Sequence, residues 1–364
     1  MEESKVVKVI RRYAALVVLI LSFSLLMVGC SNKESPEPTA GTGETAPVTG
    51  GTSSQSQTGK LPARLTYLTL ETGSTFNTMA VAQASLLSQK LGIQVAPEPT
   101  AGSQIQADLL RAGEGDLAIE NAVDAYEMYK GTGPFSDKGP VPVLLALQGE
   151  EGFYSFVNYP GTGIKSLADL KGHKVLSRRA GIEWAGVISD ELFKAVGLDP
   201  EKDVEQLLYE SSAKAFQDVV MGKASAVWGG LLPEKLEDLG RSKGIYIIPI
   251  EQPVAVQVQK AVPAFHPTVL PRDFPGGPKG TPVLGDYTAV IARKDLGEDV
   301  VYQVVKTLIE NREELVRARA VFAEWTAERA VSNPTLPFHP GAVKYFKEAG
   351  VWTDQLEQFQ SQIK

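Results

Sequence analysis

The side chains best placed for chemistry in this chain suit the holding of a charged ligand better than catalysis. Its three histidines, His173, His266 and His339, stand far apart, two of them directly before proline, and no pair has metal-ligand spacing. No nucleophile elbow, phosphate-binding loop or dinucleotide fingerprint occurs, so an enzyme, a cofactor and a metal site are not expected. Ser74 and Thr75 follow a strand-like run and open a helical one, with Phe76 and Asn77 on the first turn. Ser103 and Gln104 repeat the arrangement, and Asn121 ends a third strand-like run. Hydroxyls and free backbone N–H groups at helix starts can hold a carboxylate; the plain alternative is N-capping. Arg178 and Arg179 can clamp a carboxylate with their guanidinium forks, and alternation turns one of them to a site more readily than both. Trp184 and Trp228 can form an apolar wall, although tryptophan in an apolar stretch is usually core. Tyr287, in "GDYTAVIA", stands where the chain re-enters its first half. Glu120 is set aside, because an anion site has little use for another carboxylate.

The only cysteine, Cys30, calls for different chemistry. A positive head (Lys5, Lys8, Arg11, Arg12) precedes an uncharged run over 14–29, too short for a bilayer span of ~20 residues. That is the pattern of a secretory signal peptide, and it ends in Met27-Val28-Gly29-Cys30, which resembles a bacterial lipobox. Such a thiol takes up lipid through a thioether, and two or three acyl chains hold a protein on a membrane. The bland alternative is an uncleaved anchor helix with an incidental cysteine. Residues 31–60, rich in Ser, Thr, Gly, Pro and Glu, cannot bury enough surface to fold and read as a tether. Either way the remainder lies outside the cytoplasm, at the cell membrane.

A chain of 364 residues suits about two domains. Its net charge of -7 argues against nucleic acid, and one cysteine excludes an internal disulfide. Strand patterns at 65–70, 93–100 and 116–121 alternate with helical patterns over 76–91 and from 103, which implies a mainly parallel sheet. A second set follows: strands at 173–178 and 225–230, helices over 182–196 and 212–221. Crossing segments are expected near 152–161 and 249–258. The layout is therefore a signal peptide (1–29), lipidated cysteine and disordered tether (30–60), lobe I (61–155), lobe II (156–250), and a return to lobe I with C-terminal helices (251–364).

The stretches "GSTFNTMAVAQASLLSQKLG", "AGSQIQADLLRAGEGDLAIENAVDAYEMYKG", "IKSLADLKGHKV", "MGKASAVWGG" and "LPFHPGAVKYFKEAG" together resemble the TAXI family. These are solute-binding subunits of tripartite ATP-independent periplasmic (TRAP) transporters, and the similarity runs over about 65–352. The resemblance implies an α/β, type II periplasmic-binding-protein fold, two lobes with mainly parallel sheets around a ligand cleft. It also implies a small organic-anion ligand (an amino acid or carboxylate), a membrane permease as partner, and a monomer. Family members commonly carry a Gly-Ser-Gly-Thr-like turn where this chain has "LSRRAGIEWAG" (176–186), which points to a ligand other than glutamate. A substrate-binding lipoprotein of an ABC importer, a ligand sensor, or an envelope enzyme on the same fold are the alternatives.

Overall fold

Strand β1 (Arg64–Thr69) is inaccessible over most of its length, as a strand covered on both faces must be. A computed structural model describes residues 61–362 except 181, 234, 235, 238, 239, 242 and 243; the expected signal peptide, Cys30 and tether lie outside the described residues. After β1 the first lobe continues through α1 (Thr75–Leu91), β2 (Gln94–Pro99), α2 (Ser103–Ala112), β3 (Leu117–Asn121) and α3 (Ala122–Lys130). Each of these helices ends on a glycine in the left-handed region, Gly92, Gly113 and Gly131, whose N–H returns to a carbonyl of the last turn.

Strand β4 (Val143–Asn158) then crosses to the second lobe, made of β5 (Lys174–Arg179), α4 (Glu183–Ala195), β6 (Glu205–Tyr209), α5 (Ser212–Val220) and β7 (Ala226–Gly230). It is completed by β8 (Tyr246–Ile247), α6 (Gln252–Ala261) and β9 (His266–Val269). Strand β10 (Pro282–Arg293) crosses back, and α7 (Glu298–Glu310), α8 (Arg312–Ala318), α9 (Ala327–Ala330), α10 (Pro340–Glu348) and α11 (Asp354–Gln362) close the first lobe. Among the described residues no helix is long and apolar enough to cross a membrane.

The strand order is β2-β1-β3-β10-β4-β7-β5-β6, with β8 on β4 and β9 on β10. Pairs β1–β2, β1–β3, β5–β6 and β5–β7 are parallel, whereas every pair that β4 or β10 makes is antiparallel. The expected fold class, α/β with a type II periplasmic-binding-protein arrangement, is the one adopted. The parallel character belongs to the outer strands of each lobe, and the two crossing strands run against them.

Two details differ from the reading of the sequence. The crossing expected near 152–161 lies within one long strand that begins at Val143, because Glu151 and Gly152 pair with Tyr287 and Asp286 instead of turning away. The second crossing is not near 249–258. Helix α6 buries Ala255 and Val258 in the second lobe's core beside Ile188 and Leu192, so the chain leaves that lobe only with β10.

One apolar cluster fills the first lobe around Tyr67, Leu87, Ile119, Leu147 and Phe338. Two clusters serve the second lobe, around Phe193 and Trp228 and around Phe216 and Leu236. The cluster around Trp228 also takes in Ala122 and Val123 from α3 and Leu284 and Tyr287 from β10, so the start of α3 packs against the second lobe.

Candidate functional site

Where the start of α3 meets the second lobe, β3 ends in Glu120-Asn121. Glu120 is fully buried; one carboxylate oxygen accepts from the Ser103 hydroxyl at 3.0 Å and the other has no partner. Asn121 caps α3, accepting from the Asp124 N–H at 2.9 Å and donating to the Asp124 carboxylate at 2.7 Å. That bond, with the Ser103 hydroxyl alongside, fixes Asp124 next to Glu120. From β10, the Asp286 carboxylate faces the backbone N–H groups of Ala122 and Tyr287, yet neither oxygen completes a well-formed hydrogen bond.

Tyr154 of β4 stands in the middle. Its ring meets Phe265 at 5.1 Å and Trp184 at 6.0 Å edge-on, and stacks on Trp228 at 6.4 Å. Offset and edge-to-face contacts of this kind add to the area that the rings bury. The indole N–H of Trp184 faces Asp124 without completing a hydrogen bond, and that of Trp228 has no partner. Arg179, at the end of β5, is near enough to Tyr154 and Tyr209 to act on both hydroxyls.

Burial dominates the electrostatics. Desolvation lifts the carboxyls of Glu120 and Asp286 well above the carboxylate range, and the charge of Asp124 adds to both shifts. Asp124 rises for the same first reason, opposed by Asn121, Ser103 and Trp184. Glu127, one turn further along α3, is pushed up to about 7 by burial and by the charges of Asp124 and Glu183. The Tyr154 hydroxyl is raised by burial and by Asp286, Asp124 and Glu150, with Arg179 opposing. Glu150 is raised by burial as well, although Thr288 and Trp325 each donate to it at 2.7 Å. Among the described residues no group of three or more His, Cys, Asp or Glu is arranged to hold a metal ion.

Five residues singled out in the sequence, Ser103, Asn121, Arg179, Trp184 and Trp228, thus come together here. Arg178 faces elsewhere: its guanidinium donates to both oxygens of Asp190 at 2.7 and 2.9 Å and packs on Gly186, where a Cβ would come within 2.3 Å of Nη1. Ser74 caps α1, accepting from the Asn77 N–H at 3.1 Å, while Asn77 accepts from Gly73 at 3.2 Å. Phe76 packs on the first lobe's core and Thr75 is exposed. Gln104 is exposed and reaches the Pro134 carbonyl at 3.5 Å. Among the described residues no hydrogen bond or ring contact links Arg178, Ser74, Thr75, Phe76, Asn77 or Gln104 to the cluster.

Tyr287 follows Asp286 on β10 and so points to the opposite face of the strand. There it stacks on His266 at 4.7 Å and lies under Arg329, 5.3 Å from its ring centre. Glu151 joins them, bonded to His266 at 2.8 Å and to Arg329 at 3.1 Å. Burial raises the Glu151 carboxyl, but the bonds from His266 and Thr268 and the charge of Arg329 bring it below its usual value. A cavity of about 630 Å³, lined by Tyr126, Lys130, Gln259, His266, Asn333 and Phe359 among others, opens beside this second group and not at the carboxylate cluster.

Sequence reasoning missed Asp124, Glu127, Tyr154 and Asp286 and discarded Glu120. The signal for Glu120 was present: a carboxylate directly after the apolar run Leu117-Ala118-Ile119 of a buried strand is costly to bury.

A family model described as NMT1-like matches residues 68–350. The chain belongs to the NMT1-like family. Among solved structures, this NMT1-like chain is similar to XAC2383 from Xanthomonas citri bound to ATP, with TM-score 0.49 and 13% identity over 82% of this chain and 99% of that one. It is also similar to the periplasmic aliphatic sulphonate binding protein SsuA from Escherichia coli, with TM-score 0.45 and 12% identity over 83% and 90%. A third is PhnD1 from Prochlorococcus marinus in complex with methylphosphonate, with TM-score 0.46 and 12% identity over 80% and 100%. In this NMT1-like chain, the junction gathers Glu120, Glu127 and Asp286 around Asp124, whose charge acts on all three.

Proposed function

We propose that the chain is an extracytoplasmic solute receptor. Held at the cell membrane by lipid on Cys30 and acting as a monomer, it binds a small charged metabolite between its lobes and delivers it to a TRAP-type permease. The observation that carries this reading is the junction itself. Polar atoms of Glu120, Asp286, Trp184 and Trp228 complete no hydrogen bond there, between two lobes linked by the crossing strands. Buried polar groups in native proteins are nearly always bonded, so unmet groups gathered at a two-lobed junction favour a ligand that completes them. Nothing in the group has the nucleophile, base and orienting residue of a catalytic constellation.

Of the two ligand classes expected, amino acid and carboxylate, the amino acid fits better. Arg179 and the two indole N–H groups can meet its carboxylate, and Glu120, Asp124 and Asp286 its ammonium. Ser103 and Asn121 then serve by positioning those carboxylates. The test is a thermal-shift and calorimetric screen of the full chain with amino acids and carboxylates. A ligand at 100 times its Kd is expected to add about 2.7 kcal/mol of stability. Cys30→Ser should release the protein from the membrane fraction, and vesicles carrying the permease should take up the ligand on an ion gradient without ATP. Turnover of a bound metabolite, or no binding by any of these solutes, would refute the receptor reading.

A further inference from the structure

We propose that the ligand of this junction is a small aliphatic amine of net positive charge, its ammonium groups held by Glu120, Asp124 and Asp286 among the rings of Tyr154, Trp184 and Trp228. The inference rests on the receptor reading and narrows its ligand. Three observations carry it. The first is the gathering of carboxyls: Asn121 and Ser103 hold Asp124 and Glu120 side by side, and Asp286 and Glu127 are near enough to feel Asp124. A dicarboxylate would bring more charge of the same sign to that group, whereas an ammonium brings the opposite one.

The second is unmet valence. One oxygen of Glu120 has no hydrogen-bond partner, and those of Asp286 face only the N–H groups of Ala122 and Tyr287 without completing a bond to either, in residues 0% and 2% exposed. Protonation removes the charge of such a group but leaves its acceptor oxygens bare and adds a donor. An ammonium carries three N–H donors and no acceptor, which is what these oxygens lack. The third is the wall. Trp184 is 8% exposed, and its N–H faces Asp124 without completing a hydrogen bond. Its ring and those of Tyr154, Trp228 and Phe265 pack on one another beside the carboxyls, and aromatic faces attract desolvated cations.

Basic amino acids and diamines share this chemistry, and Arg179 separates them. Calorimetry of the full chain with L-lysine, 1,5-diaminopentane, L-glutamate and succinate is the experiment. The expected result is binding of lysine or the diamine and none of glutamate or succinate at the same concentration. Arg179→Ala should weaken lysine, which has a carboxylate for it, and strengthen the diamine, which does not. Glu120→Gln and Asp286→Asn should each weaken the amine by roughly tenfold to a hundredfold, the range of a charge-assisted hydrogen bond. Should either variant fail to fold, competition on the unaltered protein decides. Glutamate or succinate binding that neither amine displaces overturns the cation inference and leaves the receptor intact; no binding by any of the four overturns both.

Discussion

Replacing Glu127 by Gln removes one titrating group from the rim of the carboxylate cluster and leaves its shape. In the folded chain this carboxyl holds its proton up to about 7, against an ordinary value of 4.5, chiefly through burial and then through Asp124 and Glu183. Between those two values the folded state binds more protons than the unfolded one. Stability therefore falls as pH rises through that window, and the contribution is level on either side. A rise of that size corresponds to about 3.4 kcal/mol at 1.36 kcal/mol per pH unit. Glu127 is only half-buried, and solvent screening reduces the figure to about 1–2 kcal/mol. Urea melts of the two proteins at about pH 4 and pH 8 measure it. The variant should gain about 1–2 kcal/mol on the wild type between those two pH values. Slopes due to Glu120, Asp124 and Asp286 occur in both proteins and largely cancel in the difference. A gap between the proteins that is the same at both pH values, or that widens toward acid, refutes the reasoning.

Other outcomes follow from the same geometry. His339 caps α10 through Nδ1, which accepts from the Gly341 N–H at 3.2 Å, and burial lowers its pKa to about 4. The unfolded chain takes up that proton first, so stability is lost as pH falls from about 6.5 toward 4, by about 2–3 kcal/mol. His339→Asn keeps a capping side chain and should flatten that limb of a pH–stability curve. Gly341→Ala would set its Cβ 2.2 Å from the Glu298 carbonyl and 2.6 Å from the Tyr302 nitrogen, both backbone atoms of α7. Helix α10 must then back away, and a thermal melt should register a loss of about 1–3 kcal/mol. Arg178→Ala frees only Asp190, so calorimetry should find the affinity of the junction unchanged and melts a stability change of about 0–1 kcal/mol.

The outer strands and first helices were legible because their signals are local. "LTYLTL", Gly92, Gly113 and the helical spacing from Phe76 to Leu91 each depend on a few neighbouring residues, and they appear as β1, two left-handed caps and α1. The crossing strands were not legible as single elements. Gly149 and Gly152 interrupt the apolar run of β4, and pairing with β10, more than a hundred residues away, keeps it extended through them. Helix starts were easy to find, but which starts share a site depends on how the lobes pack. The hydroxyl of Ser74 caps its own helix, whereas Ser103, in a similar local setting, is bonded to Glu120. Glu120 was visible and was set aside on the expectation of an anion. Asp286 and Tyr154 carry no local mark, since a single polar residue in an apolar run declares its role only once its surroundings are known.

The β4–β10 ribbon has a mechanical consequence. Its two strands stay hydrogen-bonded from one lobe to the other, so the halves are joined by a ladder and not by two separate strings. A ladder flexes across its face far more readily than it shears along its rungs, and this one has a slipped rung beside Tyr287. The Asp286 carboxylate lies on one face and the His266–Glu151–Arg329 knot, stacked on Tyr287, on the other. Flexing that spreads one face compresses its opposite, which makes the two groups the arms of a seesaw with the ribbon as its pivot.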